Sequence, residues 1–346
     1  MLAVLCPGQG SQSPGMLAPW LELPGVPAQL DAFSAASGLD LRAHGTTSDA
    51  ETIRDTAVAQ PLIVSASLVA LRAILDGRDT CEVADVTAGH SVGEFAAAAV
   101  AGVFEDAAAV GLVTARARFM AEAAAATPTG MAAVVGGDAE EVLAAIEAAG
   151  LWPANVNGGG QVVAAGSLEG ITALGANPPA KARVIPLQVA GAFHTPFMQP
   201  ALDAFAPVAA GWDATDPRLP FLSNADGASY ASISGAESGG LFGVKDDVLS
   251  RLTAQIAAPV RWDLCQETLA ALGVTAILEL APGGVLTGLA RRTLPGVETV
   301  AVKSTADIDK ARDLVAHHSD AAGASAQTGA ENAADGAVAP AGETTA

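Results

Sequence analysis

Gly89-His90-Ser91-Val92-Gly93 is the pentapeptide in this chain whose residue types and spacing point most directly to chemistry. In a G-x-S-x-G pattern the glycines let the backbone turn sharply and present a serine hydroxyl at the head of a following helix. The helix N-terminus favours negative charge developing beside it. The chemistry served would be nucleophilic attack by a hydroxyl. An ordinary turn before a helix is the competing reading, because Ala and Gly are abundant here. A serine nucleophile needs a base. Of the five histidines, His317 and His318 fall in a predicted tail and His44 in a polar stretch. His90 adjoins Ser91, and consecutive side chains around a tight turn point apart, so His90 is expected to line the site. Elimination leaves His194, in Gly191-Ala192-Phe193-His194-Thr195-Pro196, with a structural histidine as the alternative.

A second candidate is the loop Gly8-Gln9-Gly10-Ser11-Gln12. A dinucleotide fingerprint would need glycine at position 13, where Ser13 stands, and no Gly-Lys-Ser/Thr follows as a P-loop requires. Two readings stay open: a loop that brings N–H groups to a substrate oxygen, or a flexible turn.

These residues need elements to hold them. Leu2 to Cys6 reads as a strand entering the Gly-rich loop, and residues 61–77 carry a helical period. A β-like run from Val83 to Ala88 precedes the serine turn, and Glu94 to Gly102 reads as a helix. Strand, turn and helix in that order are what a nucleophile elbow requires. A further helix is expected from Ala107 to about Ala125. The segment 126–190 then reads as strand, helix, two strands about Gly158-Gly159-Gly160, helix and strand. This βαββαβ order is that of a ferredoxin-like module. The predicted fold is thus α/β: an α/β-hydrolase-like core from residues 1–125 and 191–316, with a ferredoxin-like subdomain at 126–190. In the last part of the core, Val248 to Ile256, Trp262 to Leu272 and Gly284 to Arg292 read as helices, and Ala276 to Leu280 as a strand. Residues 317–346 lack large apolar residues and are expected to be a disordered tail.

Composition narrows the function classes. The formal charge is −20 over 346 residues, which opposes nucleic acid and anionic membrane surfaces as partners. Three cysteines without a C-x-x-C pair predict neither disulfide framework nor metal site. The N-terminus lacks a signal-peptide pattern and no run of 18 apolar residues stands out as a membrane span, so a cytoplasmic protein is expected.

Pro7-Gly8-Gln9-Gly10-Ser11-Gln12, Gly89-His90-Ser91-Val92-Gly93-Glu94 and Gly191-Ala192-Phe193-His194 together resemble the malonyl-CoA:acyl-carrier-protein transacylases, relatives of polyketide synthase acyltransferase domains. The likeness extends in order from about residue 2 to about residue 300. It includes Gln255-Ile256-Ala257-Ala258-Pro259-Val260-Arg261-Trp262 and Pro282-Gly283-Gly284-Val285-Leu286. The resemblance implies transfer of malonyl from malonyl-CoA to acyl carrier protein by a ping-pong route through a malonyl-serine ester. It implies Ser91 as nucleophile, His194 as base, and Gln9 with the Val92 N–H as oxyanion hole. Arg116 would bind the substrate carboxylate, with Gln60 in the same pocket. The backbone carbonyl of Gln255 would orient the histidine. Asn157 and Gln161 would lie near the pantetheine path, and Phe193 would narrow the acyl pocket. No cofactor or metal is implied beyond the coenzyme A thioester substrate, and a monomer is expected.

Arg116 suits its implied role, because a guanidinium pairs with a carboxylate through two parallel hydrogen bonds. Without the resemblance, Arg116 and Arg118 read as two arginines on a solvated helix face. Acyl carrier proteins of this type are acidic, so an acidic chain needs a local basic patch to dock one. Lys181, Arg183, Arg291 and Arg292 are the candidates, with ordinary solvated charge as the alternative.

Overall fold

The computed structural model describes residues 1–234 and 240–318. The chain opens with β1 (Leu2–Cys6), passes α1 (Val26–Ser37) and α2 (Leu41–Thr46), and enters the long helix α3 (Thr56–Leu75). Strand β2 (Val86–Gly89) then leads into α4 (Gly93–Val100) and α5 (Asp106–Ala126). A smaller unit follows: β3 (Thr129–Gly136), α6 (Ala139–Ala148), β4 (Trp152–Gly158), β5 (Gln161–Ser167), α7 (Leu168–Ala176) and β6 (Ala182–Pro186). The chain returns through α8 (Gln199–Ala210), β7 (Phe221–Leu222), α9 (Tyr230–Ser234), α10 (Lys245–Ala254) and β8 (Val260–Arg261). It closes with α11 (Trp262–Ala271), β9 (Ala276–Glu279), α12 (Val285–Thr293), β10 (Glu298–Ala301) and a helix at 308–318.

Two five-stranded sheets carry this mixed α/β fold. The larger has the order β10-β9-β1-β2-β7, and all its pairings are parallel. Parallel strands need crossover connections, which cover both faces. The sequence of β1 shows the result: Leu2, Val4 and Cys6 join one apolar cluster, and Ala3 and Leu5 the other. All five residues are buried, so the strand reads as a continuous apolar run rather than an alternating one. Helix α3 is long and apolar enough to cross a membrane by length and composition, which the sequence reading did not single out. In the fold, 83% of that stretch is buried, as befits a core helix apolar on all sides.

The smaller sheet has the order β6-β3-β5-β4-β8, antiparallel except where β4 meets β8. Its two faces do different work because side chains alternate along a strand. Val134, Val162 and Ala164 pack with Val142 and Ile146 of α6 and Leu174 of α7. Met131, Ala133, Asn155, Asn157, Gln161 and Val163 point the other way and line a cleft against the larger sheet. Asp138 and Ser167 cap α6 and α7 through their side chains, which sets where each helix begins.

Several expectations shift at their edges. The last strand of the small unit stops at Pro186, not Val189, and Leu187 and Val189 line the cleft instead. The tail does not begin at His317: His317 and His318 complete the helix at 308–318, and His318 bonds Thr275 and Glu298. The remainder of that expected tail, 319–346, lies outside the described residues. Cys6 and Cys265 are buried and Cys81 half-buried, all as free thiols.

Candidate active site

Ser91 stands where β2 turns into α4, with φ of 52°, in the left-handed region that L side chains rarely adopt. The flanking glycines are required by close approach. A Cβ on Gly89 would strike the Gly93 backbone, and one on Gly93 would strike the Cys6 carbonyl of β1. Asn224, fully buried just after β7, brackets the turn from the far side. Its Oδ1 accepts the Ser91 N–H at 2.7 Å, and its Nδ2 donates to the Gly89 carbonyl at 2.7 Å. Strain of this kind costs about 1–3 kcal/mol and persists only where the surroundings over-determine it. The Asn224 bonds are part of that determination.

The Ser91 hydroxyl lies 2.7 Å from His194 Nε2, and His194 Nδ1 lies 2.7 Å from the Gln255 backbone carbonyl. A carbonyl only accepts, so Nδ1 carries the hydrogen and Nε2 presents its lone pair to the serine. His194 is also held at positive φ, 62°. Burial, reinforced by the charge of Arg116, lowers the imidazole to about 3, so it is a neutral base at neutral pH. His90 turns away from the serine. Its Nε2 bonds Asn157 Oδ1 at 2.8 Å, and Asn157 Nδ2 donates to Gln161 Oε1 at 3.1 Å. His90, Asn157, Gln161 and Phe193 line the cleft.

The cleft, of about 230 Å³, also takes Gln9 and Gln60 into its wall. Around the serine, the Ser91 N–H is used by Asn224, that of Gly93 by the His90 carbonyl and that of Glu94 by the Ser91 carbonyl. The Val92 N–H donates to no group among the described residues. Gln9 Nε2 makes a long bond of 3.3 Å to Thr56.

Arg116 is not on a solvated face: it is fully buried on α5. It does not reach the cleft wall either, since Gln60 stands in front of it. Nη1 donates to Gln60 Oε1 and Nη2 to Gln255 Oε1, both at 2.7 Å, while Nε has no partner among the described residues. The guanidinium lies over the Phe95 ring, 5.6 Å from its centroid. Arg118, two residues on, is exposed and pairs with Glu122.

Three features went unread in the sequence. Gln255 acts through its side chain as well as its carbonyl: Nε2 donates to the Ser91 carbonyl at 3.1 Å and to Glu94 Oε2. Glu94 is buried, and desolvation raises its carboxyl to about 8 against the opposing bonds from Asn224 and Gln255 and the charge of Arg116. Asn224 carries no motif around it. Only Glu94 left a trace, as a charged residue in the first turn of an otherwise apolar helix.

The four docking candidates are exposed. Lys181 and Arg183 lie at the start of β6, and the paired strands place that end beside the 158–160 turn, because Gly136 N donates to the Gly160 carbonyl. Arg292 reaches the same turn, with Nε 3.2 Å from where a Cβ on Gly159 would be. Arg291 and Arg292 sit in the last turn of α12, whereas Val285, Leu286 and Leu289 of the same helix line the cleft. The basic residues are thus not in the cleft. Lys303, which was not singled out, packs beside Gly284 at the head of α12, the residue before the cleft-lining Val285. Among the described residues no cluster of His, Cys, Asp or Glu could hold a metal.

The chain and its fold have close parallels. A family model described as the acyl transferase domain matches residues 4–312. The malonyl CoA-acyl carrier protein transacylase of Mycobacterium tuberculosis is 50% identical over 319 residues, covering 91% of this chain and 100% of that one. The Escherichia coli protein of the same name is 35% identical, covering 90% and 99%. The crystal structure of the Mycobacterium tuberculosis enzyme superposes with a TM-score of 0.81, covering 90% of this chain and 99% of the other. A malonyl transacylase solved in complex with its holo type II polyketide acyl carrier protein superposes with a TM-score of 0.78 at 30% identity, covering 90% and 99%. This chain is an acyltransferase that belongs to the acyl transferase family, in the branch of the malonyl-CoA:acyl carrier protein transacylases.

Proposed function

We propose that this enzyme transfers malonyl from malonyl-CoA to the phosphopantetheine thiol of an acyl carrier protein, through a malonyl ester on Ser91. The observation that carries the reading is the line from Ser91 Oγ through His194 to the Gln255 carbonyl, with a guanidinium buried directly behind it. In the first half-reaction His194 Nε2 takes the hydroxyl proton as Oγ attacks the thioester carbon. The oxyanion receives the Val92 N–H and the Gln9 amide. The C–S bond then breaks, and His194 returns the proton to the coenzyme A sulfur. The carrier thiol repeats the sequence in reverse on the ester. No cofactor takes part.

Arg116 gives the reason for an anionic acyl group. The malonyl carboxylate would take the place of the Gln60 and Gln255 amide oxygens on Nη1 and Nη2, exchanging two neutral acceptors for one charged, bidentate one. A backbone carbonyl behind His194 stabilises imidazolium less than a carboxylate would, which favours an ester that waits for a thiol over one that is quickly hydrolysed. Docking of the carrier is assigned to Lys181, Arg183, Arg291 and Arg292, with Lys303 added for its place at the head of α12.

The finer architecture belongs to the same reading. The parallel sheet with its serine elbow supports an α/β-hydrolase-like core, and the strand order β6-β3-β5-β4 supports a ferredoxin-like subdomain. The enzyme is proposed to act as a cytoplasmic monomer. Incubation with radiolabelled malonyl-CoA tests the function. A labelled protein that discharges to carrier thiol is expected. Rapid release of free malonate would mark a hydrolase instead, and an unlabelled protein would end the proposal.

A further inference from the structure

Arg116 is buried without a carboxylate in direct contact. Both of its terminal nitrogens are occupied by neutral amide oxygens. A guanidinium taken out of water needs a counter-charge as well as hydrogen bonds. Glu94 is placed to supply one, a single amide away. Gln255 Oε1 accepts from Arg116, and Gln255 Nε2 donates to Glu94 Oε2. Glu94 Oε1 accepts the Asn224 N–H at 2.7 Å, and the residue is only 1% exposed. The other ionisable groups that face it are accounted for. Arg251 on α10 is engaged by Asp226 at 2.8 Å. Tyr230 on α9 and Cys265 on α11 are pushed up by burial and stay neutral. His194 is neutral for the reason already given. Arg116 is therefore the charge near Glu94 that is paired to no other carboxylate.

We propose that Glu94 sets the acyl charge this site accepts: its carboxylate and that of the acyl group compete for Arg116, and an anionic acyl group loads onto enzyme whose Glu94 is protonated. The inference rests on Arg116 receiving the acyl carboxylate, as proposed above. Two carboxylates around one guanidinium in a dry site cannot both ionise cheaply. Malonate faces the open cleft, whereas Glu94 is sealed under α10 and α11, and burial already raises its carboxyl to about 8. The proton therefore resides on Glu94. Below about pH 8 it is there before the acyl group arrives, and above that it is drawn from solvent on loading, with no other bond changed. Ionised Glu94 would cancel the field of Arg116 and remove the charge partner of malonyl. A neutral acyl group would lose nothing. Glu94 touches Gln255 and Asn224, not the substrate, so it is a positioning residue.

The test is the ratio of kcat/KM for malonyl-CoA to that for acetyl-CoA, measured from about pH 6 to about pH 9. Taking the ratio cancels the titration of His194 and of steps common to both substrates. The wild-type ratio should be level below about pH 7.5 and then fall, approaching about tenfold per unit above pH 8. Glu94→Gln should keep the ratio level throughout. A level wild-type ratio would overturn the proposal. An unchanged fall in Glu94→Gln would also overturn it, by assigning the titration to the guanidinium or another group. Should that variant not fold, Glu94→Asp must shift the midpoint of the fall, and an unmoved midpoint counts against the idea. Failure of the malonyl reading would look different: no acyl-enzyme from malonyl-CoA at any pH, or equal loading of both substrates at pH 6 to 7.

Discussion

The two halves of this site are built on opposite terms. On the cleft side, Ser91 and His194 are neutral, bonded to each other, and strained in backbone. Behind them, Arg116 and Glu94 are sealed from solvent with the neutral amide of Gln255 bonded between them. On the proposed function, one half performs bond exchange and needs a hydroxyl and an imidazole in register. The other would select the acyl group and needs charge kept dry, where its interactions are strong. Gln255 belongs to both: its carbonyl orients the base and its amide spans guanidinium and carboxylate. On that proposal, the comparison teaches that reactivity is a matter of geometry, and selectivity a matter of desolvated charge.

The largest effects should come from the cleft side. Ser91→Ala should abolish ester formation from malonyl-CoA and lower transfer by roughly 10⁴-fold or more, with the fold unchanged by circular dichroism. Adding His194→Ala to it should cost little further, because the pair acts as a unit. A double variant far worse than the single one would mean that His194 works elsewhere.

The sealed side should fail differently. Arg116→Ala should lower kcat/KM for malonyl-CoA by about 10²-fold or more while affecting acetyl-CoA less. It should also lower stability by about 3–5 kcal/mol if Glu94 is left ionised without its partner. Chemical denaturation above and below pH 8 checks this, since a protonated Glu94 suffers less. Equal loss for both acyl groups would dissolve the distinction between the two halves.

Asn224→Ala sits at the join. Loss of its two bonds to the elbow should reduce kcat about 10- to 100-fold with KM nearly unchanged, and should lower stability by about 1–3 kcal/mol through the unpaired Ser91 N–H and Gly89 carbonyl. A rise in KM alone would show that it serves binding instead. The last effect concerns acid. His194 is depressed to about 3, so the native state binds fewer protons than the unfolded chain between that value and the ordinary histidine value of 6.5. Stability should therefore fall as pH drops through that window. His194→Ala should lose acid stability less steeply, and identical curves would mean that the histidine is not buried in solution.

Much of the reacting half was legible in the chain because its constraints are local. A serine in a turn tight enough to demand Gly89 and Gly93 announces itself in five residues. The strands of the small sheet were legible too, but which of their faces meets the cleft was not, because β3 is apolar on both. The selecting half was not legible. Arg116 read from its neighbours is a surface arginine, and only the resemblance gave it a role. Asn224 and Glu94 had none, because their partners lie about 130 residues away in the chain.

The sequence by itself determined the elbow and the alternation of strands and helices, since these follow from steric and hydrophobic rules acting within a few residues. Only the tertiary structure decided that Arg116 is buried behind Gln60, that Gln255 serves guanidinium, carboxylate and imidazole at once, and that Asn224 clamps the serine turn. Burial and charge pairing are properties of what the rest of the chain packs around a residue, and no short stretch of sequence encodes them.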